Sequence, residues 1–447
     1  MKGMGASHFL NIEFFNSVKV ADEPKIKNLP FAESPLYYAP IKSSKLLSKG
    51  EDTNKIYELI LNTQDIDFEF EVGDTIGILP CNSAYEIEQI IEKLKLKEVA
   101  DKFYKLSVSR DTSKKNPKIP QHIPEYGTIR NILQYHIDIR SPPKKLFLQT
   151  LSSYTKAEEE RKNIIFLCSK EGSTKYTEFI SNNIGLLDLL NKYPSCCPPI
   201  TAVLEHLPSL QPRPYSISSS PLIENQLHIT FSVITFDNGR KGVCTGWLES
   251  LIISDSENIE TKFGSLSLNN SSIVKELVPF YFRKPKMRFP KDPSTPIIMI
   301  GPGTGVAPFV GFLQTRLLQK VNGLTWLFFG CKYCDKDFIF KQQLHDFKEK
   351  GTLTKLFTCF SREDDSNKKY VQDLIMENGK EFVELVDKDG AVVYVCGDVK
   401  NMMKDVKCAI IKCFVKFKKD FNDDEEKASK FVKSLQDSFR YVEDSWI

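Results

Sequence analysis

Residues 296–312, PIIMIGPGTGVAPFVGF, leave the chain few ways to fold. A short aliphatic run, IIMI, has the length and content of a buried strand. It runs straight into glycines at 301, 303 and 305, and Pro308 follows. The order strand, glycine-rich turn, helix lets the backbone approach a pyrophosphate closely. Pro308 fits the first helical turn, and the unpaired N–H groups of that turn then face the phosphates with the positive end of the helix dipole. The spacing G-x-G-x-G-x-x-P differs from the common dinucleotide fingerprint, so the flanking strand and helix carry as much of the reading as the glycines do. The same stretch is the nearest approach to a membrane span, and its glycines and prolines interrupt it.

Downstream, LTWLFFG, LTKLFTCF and AVVYVCG are further short apolar runs, each followed by a helical segment. Uninterrupted apolar strands alternating with helices mark a doubly wound parallel sheet, which assigns residues 291–447 to an α/β domain. The basic, proline-rich stretch RKPKMRFPKDPSTP forms its boundary. Upstream the periods differ. KIYELILN alternates with period two, and EVGDTIGILP places a Gly-Asp turn before a strand. SAYEIEQIIEKLKL then has helical spacing, with Ser83 and Glu86 predicted as a capping box. Further helices are expected over 128–139, after Ser141-Pro142, and over 174–191. Strands return with RPYSISSS and QLHITFSVITF. The expected architecture is therefore an antiparallel β-barrel built from 31–83 and 201–290, carrying a helical insertion over 84–200, with 1–30 as a linker or arm. The 447 residues are ample for two or three such domains.

A net charge of +3 gives no reason to expect nucleic acid as a partner. The amino terminus has no unbroken apolar core or cleavage site, and neither a secretory signal nor a membrane span is expected. Eleven cysteines form no regular framework. Cys331 and Cys334 make a lone C-x-x-C without the second ligand pair that zinc requires, so no metal is expected, and the thiols suit a reducing, cytoplasmic compartment.

Three further stretches carry chemistry. In SREDDSNKKY, Ser361, Arg362, Lys368 and Tyr370 follow the third apolar run. Hydroxyl and cationic donors there complement a 2′-phosphate, whereas an acid would complement a free ribose hydroxyl, so NADPH is expected rather than NADH. In RPYSISSSP, Arg213, Tyr215 and Ile217 share one face of a strand and Ser216 the other. In RKGVCTGWL, Gly242, Val243, Cys244 and Thr245 are placed to offer backbone N–H groups and a hydroxyl to a second pyrophosphate at a helix start. A second dinucleotide is therefore expected in the barrel.

The ordered set RPYS, GVCTGWL, GPGTGVAPFVGFLQ, FFGC, FSRE…KKYVQD, VYVCGD and RYVEDSW resembles the flavin reductase half of the diflavin reductases. The likeness runs from about Phe31 to Ile447 and is weakest over 251–290. It implies a ferredoxin–NADP reductase-like barrel holding FAD and a sheet domain holding NADPH, with hydride passing between them. By motif, Arg213, Tyr215 and Ser216 would hold the flavin, and Gly242, Val243, Cys244 and Thr245 its pyrophosphate. Gly303, Thr304 and Gly305, with Ser361, Arg362, Lys368 and Tyr370, would hold NADPH. Ser216, Cys396 and Asp444 match the polar cluster at the site of hydride transfer, and Trp446 matches the penultimate aromatic that stacks on the flavin. PQHIP, EHLPSLQPRPYS and KGVCTGWL favour the branch that feeds cobalamin-dependent methionine synthase. That branch implies a flavodoxin-like FMN domain for one-electron delivery, which the 30 or so residues ahead of the barrel are too short to supply. FMN is thus expected only in a domain absent from this chain. Alternatives are the reductase half of a haem-monooxygenase or nitric-oxide-synthase-like system, and a non-catalytic scaffold that binds methionine synthase.

Overall fold

The computed structural model describes the backbone of residues 8–16, 29–264, 276–364, 368–398, 401–421 and 423–446, and their side chains except those of 255–264 and 445–446. The chain divides into two compact units, 1–30 with 79–212, and 31–78 with 213–447.

The first unit is the helical one, but not purely. Its helices include Ala84–Lys93, Ile129–Tyr135, Lys145–Ser153, Glu158–Cys168, Ser173–Ser181 and Leu186–Lys192. The single helix expected over 174–191 is two, broken at 182–185. Ala84–Lys93 buries Ile87, Ile90 and Ile91 on one face, as its spacing dictates. Its capping box does not form: Ser83 is the N-cap but makes no side-chain cap bond. Glu86 is instead largely buried and pairs with Arg140 Nε at 2.7 Å, because a carboxylate withdrawn from water is stabilised more by a guanidinium than by one backbone N–H. Nor are residues 1–30 only an arm. Leu10–Phe15 is a strand paired antiparallel with Phe103–Val108, and Tyr126–Thr128 completes a three-stranded sheet within this unit.

The second unit begins with six antiparallel strands, in spatial order Arg213–Ser216, Thr75–Ile78, Leu277–Arg283, Tyr37–Leu46, Ile56–Asn62 and Gln226–Ser232. An Ile217–Ile229 bridge brings the first strand back to the last, closing the sheet toward a barrel. Leu59, Leu61, Ile76, Ile78, Leu227, Ile229 and Phe280 fill its interior with no exposed surface. At about 1.5–3 kcal/mol per fully buried aliphatic or aromatic side chain, this packing outweighs any single polar contact in the barrel.

After the barrel come five parallel strands, ordered Lys355–Phe360, Thr325–Cys331, Ile297–Ile300, Val392–Asp398 and Tyr441–Trp446. The central strand Ile297–Ile300 is buried at every position, which is why it reads as an unbroken apolar run. Its order places the first parallel strand in the middle, so the chain leaves it in both directions and opens a crevice at its carboxyl end.

Barrel and sheet are joined through close contacts within this second unit. Gly73 has φ +90°, and a Cβ there would sit 2.7 Å from the Met287 carbonyl oxygen. Arg288 donates to Asp74 Oδ1 at 2.6 Å, and its own carbonyl accepts from the Tyr394 hydroxyl at 2.5 Å. Phe289 stacks on Phe312 at 4.1 Å between centroids. A Cβ on Gly311 would come within 2.9 Å of the Ser219 carbonyl oxygen. Ser220, fully buried, accepts from Thr315 Oγ1 at 2.8 Å and donates its N–H to Gln314 Oε1 at 2.9 Å. Among the described residues no helix is long and apolar enough to cross a membrane.

Candidate functional site

The carboxyl edge of the parallel sheet carries most of the residues singled out from the sequence. At its centre, Ile300 leads into Gly301 and a single 3-10 turn, Gly303–Val306, followed by the helix Ala307–Gln319 with Pro308 in its first turn. The first two glycines of the motif have different tasks. A Cβ on Gly301 would lie 2.5 Å from the Gly305 carbonyl oxygen, so this position permits the tight turn. Gly303 has φ +56° and open space where a Cβ would be, so it presents bare backbone to whatever approaches. A bare loop at the amino end of a 13-residue helix matches the needs of a pyrophosphate in both shape and donor chemistry.

To one side of this loop, two strands away, Ser361 and Arg362 follow Lys355–Phe360. Main-chain bonds fix them: Ser361 N–H donates to the Cys331 carbonyl and Arg362 N–H to the Lys332 carbonyl, each at 2.9 Å. Arg362, Lys368 and Tyr370 are exposed, and Tyr370 directly precedes the helix Val371–Glu377. Residues 365–367, between them, lie outside the described residues.

On the other side, the two remaining strands bring Cys396 and Asp444 into register as neighbours. Ser216 arrives from the barrel, at the end of Arg213–Ser216 opposite Thr75. Its Oγ donates to Asp444 Oδ2 at 3.0 Å, and Cys396 Sγ lies 4.0 Å from the same oxygen. Cys396 is fully buried and Asp444 is 7% exposed. Burial, reinforced by the Asp444 charge, pushes the Cys396 thiol well above its ordinary range, so it keeps its proton. Residues 228 positions apart thus meet in one dry cluster. Lys286, which the sequence reading passed over, reaches it too, with Nζ 3.7 Å from Asp444 Oδ1. Its only sequence signal was membership of a basic boundary segment. Trp446 ends the same strand as Asp444, and its side chain lies outside the described residues.

The barrel supplies the other set. Gly242 precedes the helix Val243–Gly264, whose first turn holds Val243, Cys244 and Thr245. A Cβ on Gly242 would meet Thr245 Oγ1 at 2.9 Å, and that hydroxyl accepts from the Ile234 N–H at 3.2 Å, which fixes the turn. Tyr215 O–H donates to Cys244 Sγ at 3.3 Å, tying the Arg213–Ser216 strand to this turn. Burial raises the Cys244 thiol to about 11. The helix start, with Arg213 and Tyr215 on the adjoining strand, offers N–H donors, a cation and an aromatic ring, a set suited to a flavin dinucleotide. Four strand steps separate the strand ending before Ser361 from that of Asp444, about 19 Å across the edge, which suits an extended nucleotide rather than a small anion.

Known proteins resemble the chain in both of its nucleotide-binding parts. An FAD binding domain model matches residues 29–247, and an oxidoreductase NAD-binding domain model matches 299–408. Methionine synthase reductase of Rattus norvegicus is 35% identical, covering 97% of this chain and 64% of that protein. The Homo sapiens protein of the same name is 36% identical over 92% of this chain and 61% of its own length. NADPH–cytochrome P450 reductase of Cavia porcellus is 33% identical, with 93% and 59% covered. The chain thus carries an FAD binding domain and an oxidoreductase NAD-binding domain, and over more than nine-tenths of its length it is similar to methionine synthase reductases and an NADPH–cytochrome P450 reductase. The match to the NAD-binding domain lies on the parallel sheet, and the match to the FAD binding domain takes in the barrel strands Tyr37–Leu46, Ile56–Asn62, Thr75–Ile78, Arg213–Ser216 and Gln226–Ser232. The chain spans about three-fifths of the length of the curated relatives it matches.

Proposed function

We propose that Ser361, Arg362, Lys368 and Tyr370 hold the 2′-phosphate of NADPH, Gly303, Thr304 and Gly305 its pyrophosphate, and Ser216, Cys396 and Asp444 the nicotinamide end. Arg213, Tyr215, Ser216, Gly242, Val243, Cys244 and Thr245 hold FAD, and Trp446 covers the flavin ring until nicotinamide displaces it. When bound, NADPH supplies a hydride and FAD accepts it. The observation that carries the reading is the meeting of Ser216, Cys396 and Asp444 within 4.0 Å at the carboxyl end of the sheet. Asp444 offers negative charge where the nicotinamide ring becomes positive, and its burial weakens the screening by water. Ser216 holds the carboxylate in one orientation, and Cys396 contributes a protonated, polarisable edge.

Beyond this step, the electrons pass through a flavodoxin-like FMN domain to the cob(II)alamin of methionine synthase. Support comes from the similarity to the methionine synthase reductases of Rattus norvegicus and Homo sapiens, together with PQHIP and EHLPSLQPRPYS. Eleven free cysteines suit work in the cytoplasm. Purified protein should be yellow and should bleach on anaerobic addition of NADPH. With an FMN domain added, it should then restore activity to oxidised methionine synthase. A colourless protein that binds no FAD overturns the flavin reading. Bleaching without any FMN-dependent reactivation overturns the choice of acceptor alone.

A further inference from the structure

The two oxygens of Asp444 face donors of different kinds, and Cys396 Sγ stands 4.0 Å from one of them. Oδ2 accepts from Ser216, a neutral hydroxyl fixed in a strand. Oδ1 faces the ammonium of Lys286 at 3.7 Å, and the Lys286 side chain is 51% exposed against 10% for that of Asp444. Lys286 does not sit on a loose tether. Lys284 N–H donates to the Phe31 carbonyl at 2.8 Å, Met287 is fully buried, and Arg288 is paired with Asp74. The segment between barrel and sheet is therefore pinned on both sides of Lys286, and its half-solvated side chain stands over a nearly buried carboxylate.

From this geometry we propose that Lys286 is a positioning residue that weakens the hold of Asp444 on a positively charged ring, and so sets how readily the oxidised nucleotide leaves. The inference rests on the reading that Asp444 faces nicotinamide. NADPH brings an uncharged ring to the carboxylate and NADP⁺ a cationic one. A cation already at Oδ1 partly neutralises the charge the second ring would meet, so it acts selectively against the oxidised form. The 2′-phosphate end lies on the far side of the sheet edge and is beyond its reach, since exposed charges are screened over about 8–10 Å.

The test is calorimetric binding to the FAD-loaded protein, using NADP⁺ and 2′,5′-ADP, which carries the phosphate end without nicotinamide. Lys286→Gln should bind NADP⁺ about two- to fivefold more tightly, the range expected for a half-exposed charge pair. It should bind 2′,5′-ADP as the parent does, and Lys286→Arg should restore the parent affinity for NADP⁺. If NADP⁺ affinity in Lys286→Gln is unchanged or weaker, or if both ligands shift together, the inference is wrong. Should the parent protein bind no 2′,5′-ADP at all, the nucleotide site and this inference fall together.

Discussion

The two ends of the sheet edge are built on opposite principles. At the end proposed for the 2′-phosphate, main-chain bonds set Ser361 and Arg362, while the side chains of Arg362, Lys368 and Tyr370 are exposed. At the other end, Ser216, Cys396 and Asp444 bond side chain to side chain; Cys396 and Asp444 are buried and Ser216 is partly so. Choosing a nucleotide needs only a few flexible cations near a dianion, and screening limits what each contributes. Stabilising charge on a reacting ring needs a fixed carboxylate where screening is weak. Change should therefore be graded at the wet end and abrupt at the dry one.

The strongest challenge to that contrast is Asp444→Asn, which keeps the shape and removes the charge. Flavin bleaching by NADPH in an anaerobic single turnover should slow about 100-fold or more, with the preference for NADPH over NADH intact. A change of cofactor preference without a change of rate would dissolve the distinction. Arg362→Ala should do the reverse, weakening NADPH about tenfold or more, as expected for losing a charge-assisted hydrogen bond, while NADH and the bleaching rate at saturation stay as they were. The smallest effect probes dryness directly. An ordinary thiol, with its midpoint at 9.0, is half ionised at pH 9. Cys396 is held protonated by burial and by Asp444, so iodoacetamide at pH 9 should label exposed Cys408 and spare Cys396, as read by peptide mass spectrometry. The sign of the linked stability follows. The unfolded chain loses this proton near pH 9 and the fold does not, so the thiol costs stability only as pH rises beyond that point. Equal labelling of the two cysteines would mean that water reaches the cluster.

How much of this was legible in the sequence depended on the range of the forces involved. The parallel strands could be read because a strand buried on both faces must be apolar throughout, as Ile297–Ile300 is. The glycine-rich loop could be read because its conformation is local: a Cβ at Gly301 would collide with the Gly305 carbonyl. The strand Leu10–Phe15 could not, since its half-polar sequence acquires meaning only beside Phe103–Val108. The Ser83–Glu86 box failed for the same reason, as Arg140 is 54 residues from the carboxylate it captures. At the dry cluster the family likeness supplied Ser216, Cys396 and Asp444. Lys286 carried no motif, and only the folded chain brings it to Asp444.

The contact between Gly311 and Ser219 has a practical consequence. There is no layer of side chains at that point to absorb a mismatch, and Ser220 is locked into the same seam by Gln314 and Thr315. A hybrid enzyme that borrowed its pyridine-nucleotide half from a cousin would have to import residues 218–220 with it. Cutting such a chimera at the proline-rich boundary alone would set backbone against backbone.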